Sequence, residues 1–280
     1  MKLYTPVTCE KADRPLSLSD SVLMLGSCFA DEIGCKMQAA GFDVCVNPFG
    51  TLYNASSIRS AMDRLDSDTL FTEDDCVEMG AGAGRICSFE HHSSFSRPSA
   101  GEFLQNANAR LLEARGFWKK ADAVILTLGT ARIWCRDGRT VSNCLKRPSY
   151  EFTRRIMESE EIALALQEVM DRHPEKRFIL TVSPVRHLGD GAHANSVSKA
   201  RLLLAADMCR GAEYFPAFEI LNDELRDYRF YADDLVHPSS SAIAVIWERF
   251  LETFAATEEL DRIAANEKTA RREAHRPLLR

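Results

Sequence analysis

Val22-Leu23-Met24-Leu25-Gly26-Ser27-Cys28-Phe29-Ala30 is the stretch on which the reading of this 280-residue chain turns. Four apolar residues, enough for a short buried strand, run into Gly-Ser. A helical pattern starts at once, with Ile33 and Met37 four apart on one face. The glycine permits a tight turn out of the strand, and the serine lands where the helix begins. Such a strand–turn–helix exposes a hydroxyl at the edge of an α/β sheet. Unpaired backbone N–H groups and the positive end of the helix dipole lie beside it and favour developing negative charge. Serine is also a preferred helix cap, and on this stretch alone capping is the simpler reading.

A second stretch shifts that balance. In Tyr231-Ala232-Asp233-Asp234-Leu235-Val236-His237-Pro238-Ser239, a carboxylate stands three residues before a histidine in a turn stopped by proline. Asp234 can orient the His237 imidazole from its own segment, with Asp233 as the fallback acid. Taken alone, the pair would merely cap the next helix. A Ser-His-Asp constellation is defined by geometry and roles, so the chain order Ser27, Asp234, His237 is admissible, and these three form the candidate catalytic set.

The pattern between the two stretches alternates strand and helix. Short apolar runs at 22–25, 44–46, 123–128, 178–182 and 214–215 are separated by helical patterns at 28–40, 54–65, 102–116, 159–172, 195–210 and 219–226. A last core helix after Pro238 carries Ile243, Ile246, Trp247, Phe250, Leu251 and Phe254 on one face. This alternation predicts an α/β domain with a five-stranded parallel sheet and helices on both faces. Loops at the carboxyl ends of such strands share one edge, so Asn47-Pro48-Phe49-Gly50 is delivered beside Ser27. A hairpin is expected around Asp137-Gly138. Residues 66–100 read as an irregular insertion with a hairpin at Gly80-Ala81-Gly82-Ala83-Gly84. That run is no phosphate loop, because neither Lys-Ser/Thr nor a helix follows it. One domain is expected over 1–257, then a charged tail over 258–280, a solvated or frayed helix.

Composition narrows the function. At 45% hydrophobic the chain suits one large domain, and its net charge of −6 gives no support for a nucleic-acid or anionic-membrane partner. No apolar run approaches the roughly 18 residues of a membrane span, and Met1-Lys2-Leu3-Tyr4-Thr5-Pro6 shows no secretory leader. Nine scattered cysteines without a Cys-x-x-Cys pair fit a reduced, cytoplasmic protein. The seven histidines show no metal-ligand spacing, so neither a metal nor an organic cofactor is expected. The oligomeric state is left open.

Gly26-Ser27-Cys28-Phe29-Ala30 resembles the signature of the GSCFA family. Asn47-Pro48-Phe49-Gly50-Thr51-Leu52-Tyr53-Asn54, His92-Ser93-Ser94-Phe95, Leu128-Gly129-Thr130-Ala131, Ser183-Pro184-Val185-Arg186-His187 and Arg226-Asp227-Tyr228-Arg229-Phe230-Tyr231 look like its further blocks. The resemblance covers roughly residues 1–255. It implies a relative of the SGNH (GDSL-like) hydrolases, a flavodoxin-like three-layer fold whose active members are esterases and lipases. In that pattern Ser27 matches the nucleophile, Gly50 an oxyanion donor, and Asp234 with His237 the last block; His92 is kept as a pocket residue.

The third block departs from the SGNH pattern. Gly129-Thr130-Ala131 stands where those enzymes carry Gly-x-Asn, the Asn being an oxyanion donor. Thr130, Asn54 or Asn143 is expected to replace it, with Asn143 ranked first as an amide on a fixed hairpin. The resulting expectation is a serine esterase that cleaves an O-acyl, in particular acetyl, ester of a small hydrophilic or carbohydrate substrate. Two alternatives stand beside it. One is a thiol-dependent hydrolase using Cys28, whose place in the first helical turn would lower its pKa. The other is a binding protein whose catalysis is lost, marked by Ala131.

Overall fold

Val22, Leu23 and Leu25 are wholly buried, as a central strand covered on both faces requires. In the computed structural model, which describes residues 4–274, they belong to β1 (Ser21–Gly26). The remaining sheet strands are β2 (Asp43–Val46), β3 (Ala123–Leu128), β4 (Arg177–Val182) and β5 (Ala212–Phe215). All pairings are parallel, in the order β5-β4-β3-β1-β2. The expected flavodoxin-like sheet is therefore present. Its register decides where the site lies. Gly26 is opposite Thr127, and Thr127 is opposite Thr181, so the segments leaving β1, β3 and β4 emerge level with one another.

The pleat divides the core in two. Leu23 and Leu25 face the layer of α2 (Ala55–Asp66), α3 (Ala100–Lys120), α4 (Ser159–Arg172) and α5 (Ala192–Met208). Val22 and Met24 face α1 (Cys28–Ala40), α6 (Ser240–Phe254) and α7 (Leu260–Ala274). Gly34 lets α1 lie tight on β2: a Cβ there would sit 2.5 Å from Val46 Cγ2.

Several local expectations are revised. The hairpin Arg132–Arg136/Arg139–Val141, turned at Asp137 and Gly138 with positive φ at both, gains a third strand, Thr153–Ile156. That strand, Thr-Arg-Arg-Ile, has no apolar alternation to announce it. α5 begins after Gly191 rather than at Asn195, whose side chain instead accepts the His187 N–H at 2.8 Å. The helix expected over 219–226 is a turn, Ala217–Glu219, that widens into a π-helical segment, Ile220–Leu225. The charged tail does not stand free. α7 docks on α1 and α6, burying Ile263, bonding Asn266 Nδ2 to Ala40 O (2.8 Å), and receiving Trp247 Nε1 on Glu267 (2.6 Å). Positions 1–3 and positions 275–280 of the tail lie outside the described residues.

At the end of β1, Gly26 has φ +152°, and a Cβ there would overlap the Thr127 carbonyl oxygen. Gly26→Ala should therefore destabilise the fold by about 2–6 kcal/mol, combining backbone strain with overpacking. Urea unfolding measures this, and a variant of wild-type stability would show that the turn can relax.

Candidate active site

The turn at Ser27 is held from three sides. Gly26 N–H donates to Asn47 Oδ1 (2.9 Å), and Gly26 O accepts from Leu52 N–H (2.8 Å). Asn47, itself left-handed at φ 43°, also donates through Nδ2 to Asp31 Oδ1 (2.7 Å) in the first turn of α1. Burial raises the Asp31 carboxyl above its ordinary pKa. The same loop carries Tyr53, whose carbonyl accepts the N–H groups of Gly129 (2.9 Å) and Thr130 (2.8 Å). A Cβ at Gly129 would lie 3.3 Å from Ser27 Cβ. The segments after β1, β2 and β3 are thus locked around the serine.

Ser27 is 1% exposed, with its Oγ capping α1 through a long bond from Phe29 N–H (3.4 Å). Its own N–H goes to Thr127 O at 3.2 Å. Gly50 is beside this edge, but its N–H closes the turn onto Asn47 O (2.8 Å). The expectation of two free amide donors at Ser27 and Gly50 is therefore not met. What Gly50 supplies is room, since a Cβ there would collide with His92 Cβ. His92 N–H in turn donates to Phe49 O (3.0 Å), and its Nδ1 pairs with Ser94 Oγ (3.0 Å). Neighbouring His91 is a core residue, pushed down to about 3 by burial among Phe49, Phe71, Phe95 and Phe103.

The candidate replacements for the absent Asn fall in different places. Thr130 Oγ1 is paired with Ser198 Oγ (3.1 Å) and accepts from Arg132 N–H (3.1 Å). Asn143 accepts from Leu145 N–H (2.7 Å), and its hairpin is fastened to the insertion by Ser142 N–H on Phe89 O. Among the described residues no hydrogen bond joins Asn143 to Ser27. Asn54 caps α2, its Oδ1 accepting from Ser57 N–H (2.8 Å), and it directly follows the carbonyl that holds Gly129. Among the described residues its Nδ2 donates no hydrogen bond.

Asp234 and His237 are joined as expected of an orienting acid and its base. Asp234 Oδ2 lies 2.6 Å from His237 Nδ1, and Oδ1 accepts the N–H groups of Val236 (2.9 Å) and His237 (3.0 Å). The His237 backbone and side-chain bonds, with that of Val236, hold the Asp234 carboxyl down at about 2. Arg186 N–H on Val236 O (3.1 Å) ties this turn to the carboxyl end of β4, two strands from Ser27. His237 and Ser27 share no hydrogen bond: the serine is buried, whereas the His237 side chain is 47% exposed. Cys28 is no activated thiol, because burial, with Asp31 beside it, pushes its pKa up.

Two polar residues at this edge, Lys199 and Ser198, were not legible beforehand, and His187 was read only as part of a family-like block. Lys199 is wholly buried, and its ammonium donates to Gly129 O (2.7 Å) and Ser183 O (2.6 Å), joining the ends of β3 and β4. Ser198, next on α5, accepts the Ala131 N–H (2.8 Å). His187, its ring 6.0 Å from Tyr53, keeps a buried Nε2 with no hydrogen-bond partner among the described residues and is pushed down to about 4 by burial and by Lys199. The only signal for Lys199 and Ser198 was polar residues at positions where α5 turns inward. Among the described residues, no His, Cys, Asp and Glu side chains cluster as metal ligands, and no helix is long and apolar enough to cross a membrane.

The fold is that of a three-layer α/β protein with a serine at its first strand–helix turn and an Asp-x-x-His dyad on the same sheet edge. The GSCFA family model matches residues 21–250, and the chain belongs to the GSCFA family. Among solved structures it is similar to the psychrotrophic esterase EstA from a Pseudoalteromonas species, at 11% identity over 84% of this chain and 96% of that one, with a TM-score of 0.39. It is also similar to a catalytic mutant of the acetylxylan esterase Axe2 from Geobacillus stearothermophilus, at 12% identity over 86% and 97%, with a TM-score of 0.44. A third is a family 3 carbohydrate esterase from Talaromyces cellulolyticus, at 10% identity over 88% and 99%, with a TM-score of 0.37. No curated protein sequence matches the chain.

Burial pushes the Lys199 ammonium down to about 7 from the ordinary 10.5. Between those values the folded protein has shed a proton that the unfolded chain still holds, so stability should rise with pH across that window. The neutral amine keeps two N–H donors for the two carbonyls. Wild type should thus gain stability relative to Lys199→Met from pH 7 to pH 10 in urea unfolding; parallel curves would contradict a titrating Lys199.

Proposed function

We propose that this protein is a serine ester hydrolase in which Ser27 is the nucleophile, His237 the general base and Asp234 the orienting acid. The observation that carries this reading is the Asp234–His237 pair at 2.6 Å, tied through Arg186 to the sheet edge at which the Ser27 turn ends. Asp234 as an anion fixes the proton on Nδ1 and leaves Nε2 to accept. Ser27 Oγ attacks the ester carbonyl as its proton passes to His237 Nε2. That proton then leaves with the alcohol, and water activated by the same imidazole releases the acid and regenerates Ser27. The cap bond on Ser27 is long, so turning Oγ toward His237 costs little.

With the Gly50 amide engaged, the oxyanion falls to the Ser27 N–H, whose 3.2 Å bond to Thr127 O is longer than the other backbone–backbone bonds named around the turn, and to an amide side chain. Asn54 is the better placed, with Asn143 and Thr130 behind it. The serine is buried, and the segments bonded at this edge carry the polar side chains Tyr53, Asp31, His92 and His187. These features suit a small acyl group such as acetyl on a hydrophilic or carbohydrate alcohol. The reaction as written needs neither a metal nor an organic cofactor. All nine cysteines are free thiols, which suits a reducing, cytoplasmic setting. The competing reading, a binding protein without catalysis, is favoured by the engaged Gly50 amide and the absent third-block Asn.

A fluorophosphonate probe followed by peptide mapping tests the proposal. The label should fall on Ser27 and be lost in His237→Ala; an unlabelled, folded protein would favour the binding reading. Asn54→Asp separates two roles of one residue, because aspartate caps as well but offers no N–H. It should keep the melting temperature and lower turnover of an acetyl ester by about 10²–10³-fold. Unchanged turnover would return the donor role to Asn143 or Thr130.

A further inference from the structure

The ester chemistry at Ser27 leaves unused most of Ser183-Pro184-Val185-Arg186-His187 and Arg226-Asp227-Tyr228-Arg229-Phe230-Tyr231, and the fold brings these two segments together. A groove of about 200 Å³ is lined by Arg186, Asn222, Arg226, Asp227, Tyr228 and Tyr231. The Arg186 guanidinium lies over both tyrosines, 5.5 Å from the Tyr231 ring centre and 6.0 Å from that of Tyr228. Its Nη1 also donates to Leu235 O (3.1 Å), inside the Asp234–His237 turn, and Tyr231 pairs across with Pro238. The groove thus adjoins the turn that carries His237.

Its charge is unusual for a chain of net charge −6. Among the described residues neither Arg186 nor Arg226 forms an ion pair with a carboxylate. The one acid lining the groove, Asp227, is held by Arg229 (2.9 Å). Arg226 also sits in a strained left-handed conformation, φ 28° and ψ 35°, immediately after the π-helical turn. A glycine would take that conformation without strain. Strained residues and π-helical turns concentrate at functional sites.

We propose that this groove is a subsite for a carboxylate on the alcohol half of the ester, so that the preferred substrate is an acyl ester of a hydroxy acid. The guanidinium fork matches a carboxylate in two hydrogen bonds, and the half-open tyrosine faces cover the ring or carbon skeleton that bears it. The inference rests on the reading of Ser27 and His237 as hydrolytic, since it places the alcohol beside His237.

Mono-O-acetylated glucuronate and mono-O-acetylated glucose are a matched pair differing in the carboxylate. Wild type should turn over the acid with a kcat/KM about 10-fold or more above the neutral ester, the worth of one charge-assisted hydrogen bond. Arg226→Gly should erase that preference by raising KM for the acid alone, with an unchanged or higher melting temperature. Equal kcat/KM for the two esters in wild type, or an equal loss on both in the variant, would overturn the subsite. If neither ester is cleaved, the hydrolase reading fails separately and calorimetric titration of free glucuronate decides. Binding that is lost in Arg226→Gly and absent for glucose supports the groove, and no binding overturns it.

Discussion

A single asparagine side chain sets the geometry on which the site depends. Asn47 accepts the N–H of Gly26 with one atom and donates to Asp31 with the other, so the end of β1, the loop after β2 and the first turn of α1 form one unit. Leu52 and Tyr53, farther along the loop, complete it by satisfying Gly26 O and the amides of Gly129 and Thr130. Each such bond adds only about 0.5–1.5 kcal/mol net, but leaving a buried partner unmade costs about 1–3 kcal/mol. The arrangement therefore resists partial loosening, and the serine is fixed by its surroundings rather than by its own contacts.

This rigidity has a chemical consequence. The backbone N–H groups that would meet an oxyanion in an open turn are already bonded, most firmly at Gly50. In the proposed reaction a side chain, Asn54, must then supplement the Ser27 N–H. The other half of the site is built differently. Asp234 and His237 form their bond within one exposed turn and need no help from the serine. The Asp234–His237 pair is thus complete within its own turn, Ser27 is buried at 1% exposure, and the two halves are joined through the ends of β3 and β4. Lys199 bonds both of those ends, so the buried lysine helps to set the distance between the halves.

The sheet was legible because its strands are short, almost wholly apolar and separated by helical periods; Val22 to Leu25 and Ala123 to Leu128 leave little else to read. The Ser27 turn and the Asp234–His237 pair were legible because each is local, set by spacing within a few residues. The resemblance to GSCFA blocks pointed to Gly50 as a donor, but its amide is used by a turn that depends on the left-handed Asn47. Lys199 and Ser198 went unread because partners they hold are distant in sequence, 70 residues away for Lys199 and Gly129. The strand Thr153–Ile156 escaped for another reason: it pairs as an edge over a hairpin and carries two exposed arginines. The tail escaped because one buried residue, Ile263, is enough to seat a charged helix.

The central claim is that Ser27 carries the acyl group and that the Asp234–His237 pair drives both its arrival and its release. Intact-mass spectrometry of protein quenched during reaction with 4-nitrophenyl acetate measures this directly. An acetyl group on Ser27 should form in the first turnover and decay in wild type, and neither Ser27→Ala nor His237→Ala should accumulate it there at a comparable rate. Acetylation elsewhere with Ser27 unmodified, or acetyl-Ser27 formed and released equally fast without His237, would contradict the account.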